Sequence, residues 1–146
     1  MLTVTTQQRD LMFATSIRAL PNEGCGLLVG SPDGLVSRVV PSANIADSAK
    51  IYEIEPRVLL RTFREADDSN EVVLGVFHSH THSQAYPSPT DVAQAPDPSW
   101  HYVLVSLREV PLVLRSYRIV NSVVEEEEVV VAVSPVEDSL FSTLPE

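Results

Sequence analysis

The sequence predicts an α+β protein, loosely layered α/β/α, in which a mixed, mostly antiparallel sheet is flanked by helices. Three observations predict it. Short Val-rich runs of strand length are separated by segments of helical period. Turn signals built from Pro, Gly, Asn and Asp punctuate those runs. The chain has 146 residues, 44% of them hydrophobic, which suffices for one ordinary core and hardly for two.

The elements follow in order. Thr5 or Thr6 caps a helix running to about Leu20; Leu11, Met12, Ala14, Ile17, Ala19 and Leu20 supply its apolar stripe, and Pro21 marks its end. Cys25 to Gly30 reads as a buried strand. Ser31-Pro32-Asp33-Gly34 is a turn, with Leu35 to Val40 as the returning strand of a hairpin. Residues 41–50 are loop-like, and Ile51, Tyr52 and Ile54 suggest a short strand. Pro56 opens a helix through about Ala66. Glu71 to Phe77 is a Val-rich strand that runs into His78-Ser79-His80. Residues 81–98 read as a loop with a short helix opening near Ser88. His101 to Ser106, Leu112 to Val120 and Val123 to Val133 are further strands. Residues 1–133 are expected to form the domain, and residues 134–146 an acidic, loose C-terminal tail.

The formal net charge is −10, from 20 acids and 10 bases. No Lys or Arg follows Arg118, so −7 of the −10 falls in residues 121–146. An acidic balance argues against a chain that holds nucleic acid or an anionic membrane by bulk charge. Cys25, the single cysteine, excludes an internal disulfide framework and a Cys-rich zinc finger. No basic segment leading into an apolar one opens the sequence, and no apolar run approaches the roughly 20 residues of a membrane helix. A cytoplasmic setting is the expectation. A homodimer is compatible with Val-rich strands on one small domain.

Chemistry is concentrated in His78-Ser79-His80, followed by seven residues and then Ser88-Pro89-Thr90-Asp91. Histidines at i and i+2 on extended chain point to one side, so both imidazoles can reach one metal ion. Asp91 adds a hard anionic oxygen. A His₂Asp set leaves one tetrahedral position open for water, the pattern of a catalytic zinc rather than a structural one. Bound zinc lowers the pKa of such a water to about 7. The site still needs a proton acceptor and an oxyanion stabiliser. Glu23, just ahead of an apolar strand, is a candidate for the first, and Ser88 for the second.

Glu23 followed by His78-x-His80-x₇-Ser88-x₂-Asp91 resembles the complete signature of the JAMM (MPN+) metalloprotease family. Pro21 to Gly26, Ala85 to Ser88, His101 to Ser106 and Leu114 to Val120 are similar to one bacterial branch of it, and the likeness spans roughly residues 10–130. The resemblance implies a single MPN/JAB-type domain with a cytidine-deaminase-like α/β/α architecture. It implies one zinc ion per chain with a catalytic water, held by His78, His80 and Asp91. Glu23 would then move a proton from that water to the leaving amine, and Ser88 would stabilise the tetrahedral oxyanion. The branch implies hydrolysis of the C-terminal amide bond of a ubiquitin-like sulfur-carrier protein, releasing cysteine in cysteine biosynthesis. Residues 41–55, with Asn44 and Tyr52, are expected near the cleft, gripping the substrate tail. His82 is a third histidine in register that the branch does not lead one to expect.

Other readings compete. A JAMM deconjugase or tail-processing protease for another ubiquitin-like protein would use the same site. A non-catalytic MPN interaction module typically lacks the metal ligands, all of which are present here. Histidine-triad nucleotide hydrolases want apolar residues between their histidines, where this chain has Ser79 and Thr81. A zinc nucleobase deaminase needs a Pro-Cys-x-x-Cys half that a single cysteine cannot supply. Cys25 reads as a small buried hydrophobe. Trp100 and the tyrosines read as packing residues, and His101 as structural. Glu125 to Glu128 reads as a solvated strand edge or, less simply, a docking surface for a basic partner.

Overall fold

The computed structural model describes residues 1–133; the acidic tail expected over 134–146 lies outside the described residues. In chain order the elements are β1 (Leu2–Thr5), α1 (Thr6–Ala19), β2 (Cys25–Gly30), β3 (Val36–Ser42), α2 (Pro56–Asp68), β4 (Val72–His80), α3 (Pro89–Ala93), β5 (His101–Ser106), β6 (Val113–Val120), β7 (Val123–Glu127) and β8 (Val129–Ala132). Six strands form one sheet in the order β3-β2-β4-β5-β6-β7, and β1 pairs with β8 in a separate two-stranded sheet. Among the described strand pairs, β4–β5 and β1–β8 are parallel and the rest antiparallel. The predicted α+β class with a mixed, mostly antiparallel sheet is what the chain adopts.

β2, β4 and β5 are covered on both faces, as near-continuous apolar runs require. Leu28, Phe77, Val103 and Val105 face Leu2, Val4 and Met12 on one side. Leu27, Val29, Val76, Tyr102 and Ile119 face Val58 and Ala66 of α2 on the other. Among the described residues no helix is long and apolar enough to cross a membrane.

Several expectations need correction. The cap of α1 is as predicted: Thr5 accepts from Gln8 N, and Gln8 returns a bond to the Thr5 amide. Its buried face is different. Met12 and Ser16 point inward, while Leu11, Ile17 and Leu20 are exposed. The helix comes so close to the chain leading into β2 that a Cβ on Gly24 would stand 2.8 Å from the Ser16 Cα. A bulky apolar residue on that face has no room. Ile51, Tyr52 and Ile54 form no strand; a single bridge between Asn44 and Ile54 closes the loop they belong to. Val123 to Val133 is two strands rather than one, because the chain leaves the large sheet after Glu127 and β8 joins β1. β1 has no counterpart among the expected elements; four residues are too short for alternation to register. The Glu125–Glu128 run is not a uniform solvated edge either. Glu126 pairs with Arg115 at 2.7 Å, while Glu127 is buried against His101.

The register positions the chemistry. Cys25 lies opposite His78 across the β2–β4 pair. Glu23 and Gly24, just ahead of β2, therefore run beside His78-Ser79-His80. Gly24 donates to the Ser79 hydroxyl at 2.8 Å and accepts from the Ser79 amide at 3.0 Å, so the two segments are fastened twice.

Candidate metal centre and active site

β4 extends through the histidines instead of ending ahead of them, so His78 and His80 occupy alternate positions of one extended strand and lean to one side. Ser88 caps α3: its hydroxyl accepts from the Asp91 amide at 3.1 Å, and its own amide donates to Asp91 Oδ2 at 2.9 Å. This capping box aims the Asp91 carboxylate at the strand. His78 Nε2 stands 3.2 Å and His80 Nε2 2.9 Å from Asp91 Oδ2. One ligand atom from each of the three residues lies within 4.8 Å of the others, and all three side chains are buried.

The residues fit a metal ion. Two separations near 3 Å match the edge, about 3.3 Å, of a tetrahedron whose nitrogen and oxygen ligands stand about 2.0 Å from zinc. His80 donates its Nδ1 hydrogen to the Gln84 carbonyl at 2.8 Å, which fixes the tautomer and leaves the Nε2 lone pair facing Asp91. The His78 ring stacks on Tyr52 with centroids 4.2 Å apart, and burial pushes its pKa down, favouring the neutral imidazole a metal needs. Burial acts to raise Asp91, but the close approach of the His78 and His80 rings and the bond from the Ser88 amide outweigh it and hold the carboxyl below the usual range.

Glu23 is 2% exposed, and its Oε1 has no hydrogen-bond partner among the described residues. Burial pushes its carboxyl up to about 8; His80 pulls the other way and Asp91 adds to the rise. The Glu23 backbone is held at both ends, its amide donating to Ser48 O at 2.9 Å and its carbonyl accepting from Asn44 Nδ2 at 3.1 Å. Asn44 shapes the loop 45–53 as well. Its amide group also donates to Ser48 O and Ile51 O, and its oxygen accepts from the Ala46 and Glu53 amides. Above these groups opens a cavity of about 410 Å³ lined by Glu23, Lys50, His80, Thr81, His82 and Ser88, among others.

The five residues singled out from the sequence, Glu23, His78, His80, Ser88 and Asp91, are thus brought together. Asn44 and Tyr52 border them. His82 stands outside the three-ligand group, its Nδ1 2.8 Å from the Thr81 hydroxyl. Cys25 is fully buried, and burial pushes its thiol up to about 12, which leaves it inert as a nucleophile. His101 is buried and bonded to Glu127 at 2.6 Å. The sequence reading missed Ser79, Gln84 and Lys50. Ser79 had a signal in its place between the two histidines. The Gln84 contact is through backbone and left none.

This fold and this grouping are those of the JAB/MPN class of proteins. The family described as prokaryotic homologs of the JAB domain matches residues 5–120, and the chain belongs to it. The chain is 42% identical over 123 residues to the CysO-cysteine peptidase of Mycobacterium tuberculosis, covering 82% of this chain and 84% of that one. It is 31% identical over 88 residues to a desampylase of Haloferax volcanii, covering 59% of this chain and 63% of that one. Among solved structures, protein DSY2949 from Desulfitobacterium hafniense is 38% identical with a TM-score of 0.84, over 92% of this chain and 94% of that one. A JAB1/MPN domain protein from Archaeoglobus fulgidus, 20% identical with a TM-score of 0.59, covers 92% of this chain and all of its own length, and shares the fold. The chain is a hydrolase of this family.

Proposed function

We propose that the chain is a zinc-dependent peptidase that hydrolyses the C-terminal amide bond of a ubiquitin-like sulfur carrier and releases cysteine from a carrier–cysteine adduct. The observation that carries the reaction type is the convergence of His78, His80 and Asp91 beside a buried, unpartnered Glu23. The likeness to the CysO-cysteine peptidase supports the substrate.

His78, His80 and Asp91 would hold the ion. When bound, zinc supplies Lewis acidity and lowers the pKa of a coordinated water to about 7. Glu23 is the proton carrier. Its carboxyl is buried with Oε1 unpartnered, beside the residues that would hold the ion, where it is placed to accept a proton and return it. Glu23 takes a proton as water adds to the scissile carbonyl, then delivers it to the departing amine. The amide C–N bond breaks, the acyl carbon keeps the hydroxyl, and the amine leaves protonated. Ser88 has a hydroxyl hydrogen to give, because its cap bond uses an oxygen lone pair. That hydrogen is available to the oxyanion of the tetrahedral intermediate.

The test combines elemental analysis with mass spectrometry of CysO–cysteine, the adduct in the mycobacterial relative's name. Purified protein is expected to carry zinc and to remove the cysteine. Glu23→Gln is expected to keep the metal and lose turnover by roughly 10²–10⁴-fold. Failure to take up supplied zinc, or Glu23→Gln at the parent rate, overturns the mechanism.

A further inference from the structure

The wall of the active-site cavity carries one group that the hydrolysis itself does not use. Lys50 is the only lysine in the sequence and the only Lys or Arg lining the cavity. It is exposed and has no ion-pair partner among the described residues. Its backbone is well placed. The Ser48 hydroxyl accepts from the Lys50 amide at 3.0 Å, and the Thr81 hydroxyl reaches the neighbouring Ala49 carbonyl at 3.4 Å. Asn44 fixes the rest of the loop through its five bonds. A loop whose backbone is tied down in this way therefore places Lys50, an exposed cation, on the wall of the cavity that Glu23, His80 and Ser88 also line. Thr81, His82 and Ser83 complete the rim with polar side chains. The cavity, about 410 Å³, is of small-ligand size.

The other side chains that line the cavity are the Glu23 carboxyl, two imidazoles, hydroxyls and Ala49. A lysine ammonium among them, set apart from the metal ligands, suits an anionic leaving group. The two substrate types open to this family differ in that respect. An amino acid joined to a carrier through its α-amine keeps a free α-carboxylate. A lysine joined through its side chain inside a protein has none at that place. We propose that Lys50 binds the α-carboxylate of the residue being released, so that the site selects a single amino acid appended to a carrier tail. This inference rests on the function proposed above and specifies its substrate.

The experiment compares three substrates: CysO ending in cysteine as the free acid, the same adduct as the cysteine amide, and CysO joined to a lysine side chain of a peptide. Wild type is expected to prefer the free acid over the amide by roughly tenfold or more in kcat/KM, the worth of a charge-assisted bond. Lys50→Ala is expected to erase that preference through KM, leaving kcat and the slow cleavage of the amide unchanged. Lys50→Arg is expected to restore it. Equal cleavage of acid and amide by wild type, or an equal loss on both substrates in Lys50→Ala, overturns the inference while the peptidase function stands. Cleavage of none of the three by zinc-loaded protein overturns both.

Discussion

Ser79 shows how much depends on a residue that touches no substrate. It lies between the two histidines in sequence, its side chain is fully buried, and its hydroxyl receives the Gly24 amide at 2.8 Å. Through that bond the strand bearing the ligands and the segment bearing Glu23 keep a fixed separation. Ser79→Ala leaves the Gly24 N–H buried and unpaired, which costs about 1–3 kcal/mol. Urea denaturation is expected to show that loss, and steady-state assays a lower kcat with zinc content unchanged. An unmoved denaturation midpoint with full activity would mean the bond positions nothing. The ligand signature itself was legible in the sequence, because its members sit at fixed short spacings: 78 and 80 on one strand, 88 and 91 on one helical turn. Glu23 was legible mainly through their company. Asn44 was expected near the cleft and Ser79 had a place in the motif, but the backbone groups they bond were not legible, because those partners lie 21 and 55 residues away and are set by the fold.

At the scale of elements, β4 is the spine of the site, and its placement against β5 is unusually tight. Gly75 pairs with His101 in parallel register. A Cβ there would stand 1.9 Å from the His101 carbonyl oxygen, a backbone atom that cannot swing aside. Gly75→Ala must therefore push β4 and β5 apart three residues upstream of His78. Overpacking of this kind costs about 1–3 kcal/mol or more. Thermal melts should fall accordingly, and zinc affinity measured against a chelator should weaken with them. A variant as stable as the parent, with unchanged affinity, would show that the strands absorb the methyl group. The strands and helices were mostly readable as local patterns. What failed was local pattern without tertiary context. The apolar side of α1 looked like its buried side, yet close approach to Gly24 admits only a small residue there. The β7–β8 run looked continuous, yet it serves two sheets.

At the scale of the molecule, Glu127 gathers elements remote in sequence. It accepts from His101 of β5 at 2.6 Å and from Ser116 of β6 at 2.8 Å, and its other oxygen lies 3.0 Å from the amino group of Met1. Burial acts to raise its carboxyl, but these donors prevail and hold it at about 2, against 4.5 for a free glutamate. A depressed folded-state pKa contributes stability above the unfolded value and loses it as pH falls. The contribution should be full above pH 4.5 and vanish toward pH 2. It is worth about 1–3 kcal/mol once the remaining solvent contact is discounted. Urea titrations of wild type and Glu127→Gln should therefore converge as pH drops through that window. A gap that stays constant with pH would place the effect elsewhere.

The pairing of β1 with β8 also bears on how the protein is made. Leu2 meets Val129 and Thr5 meets Ala132, so the earliest described strand is completed by the last. On the ribosome, Leu2 and Val4 are synthesised well before Val129 to Ala132, the strand they pair with. Bringing such distant segments together is entropically slow. Until then, two side chains that are almost wholly buried in the finished protein stand in water, where a chaperone can bind them.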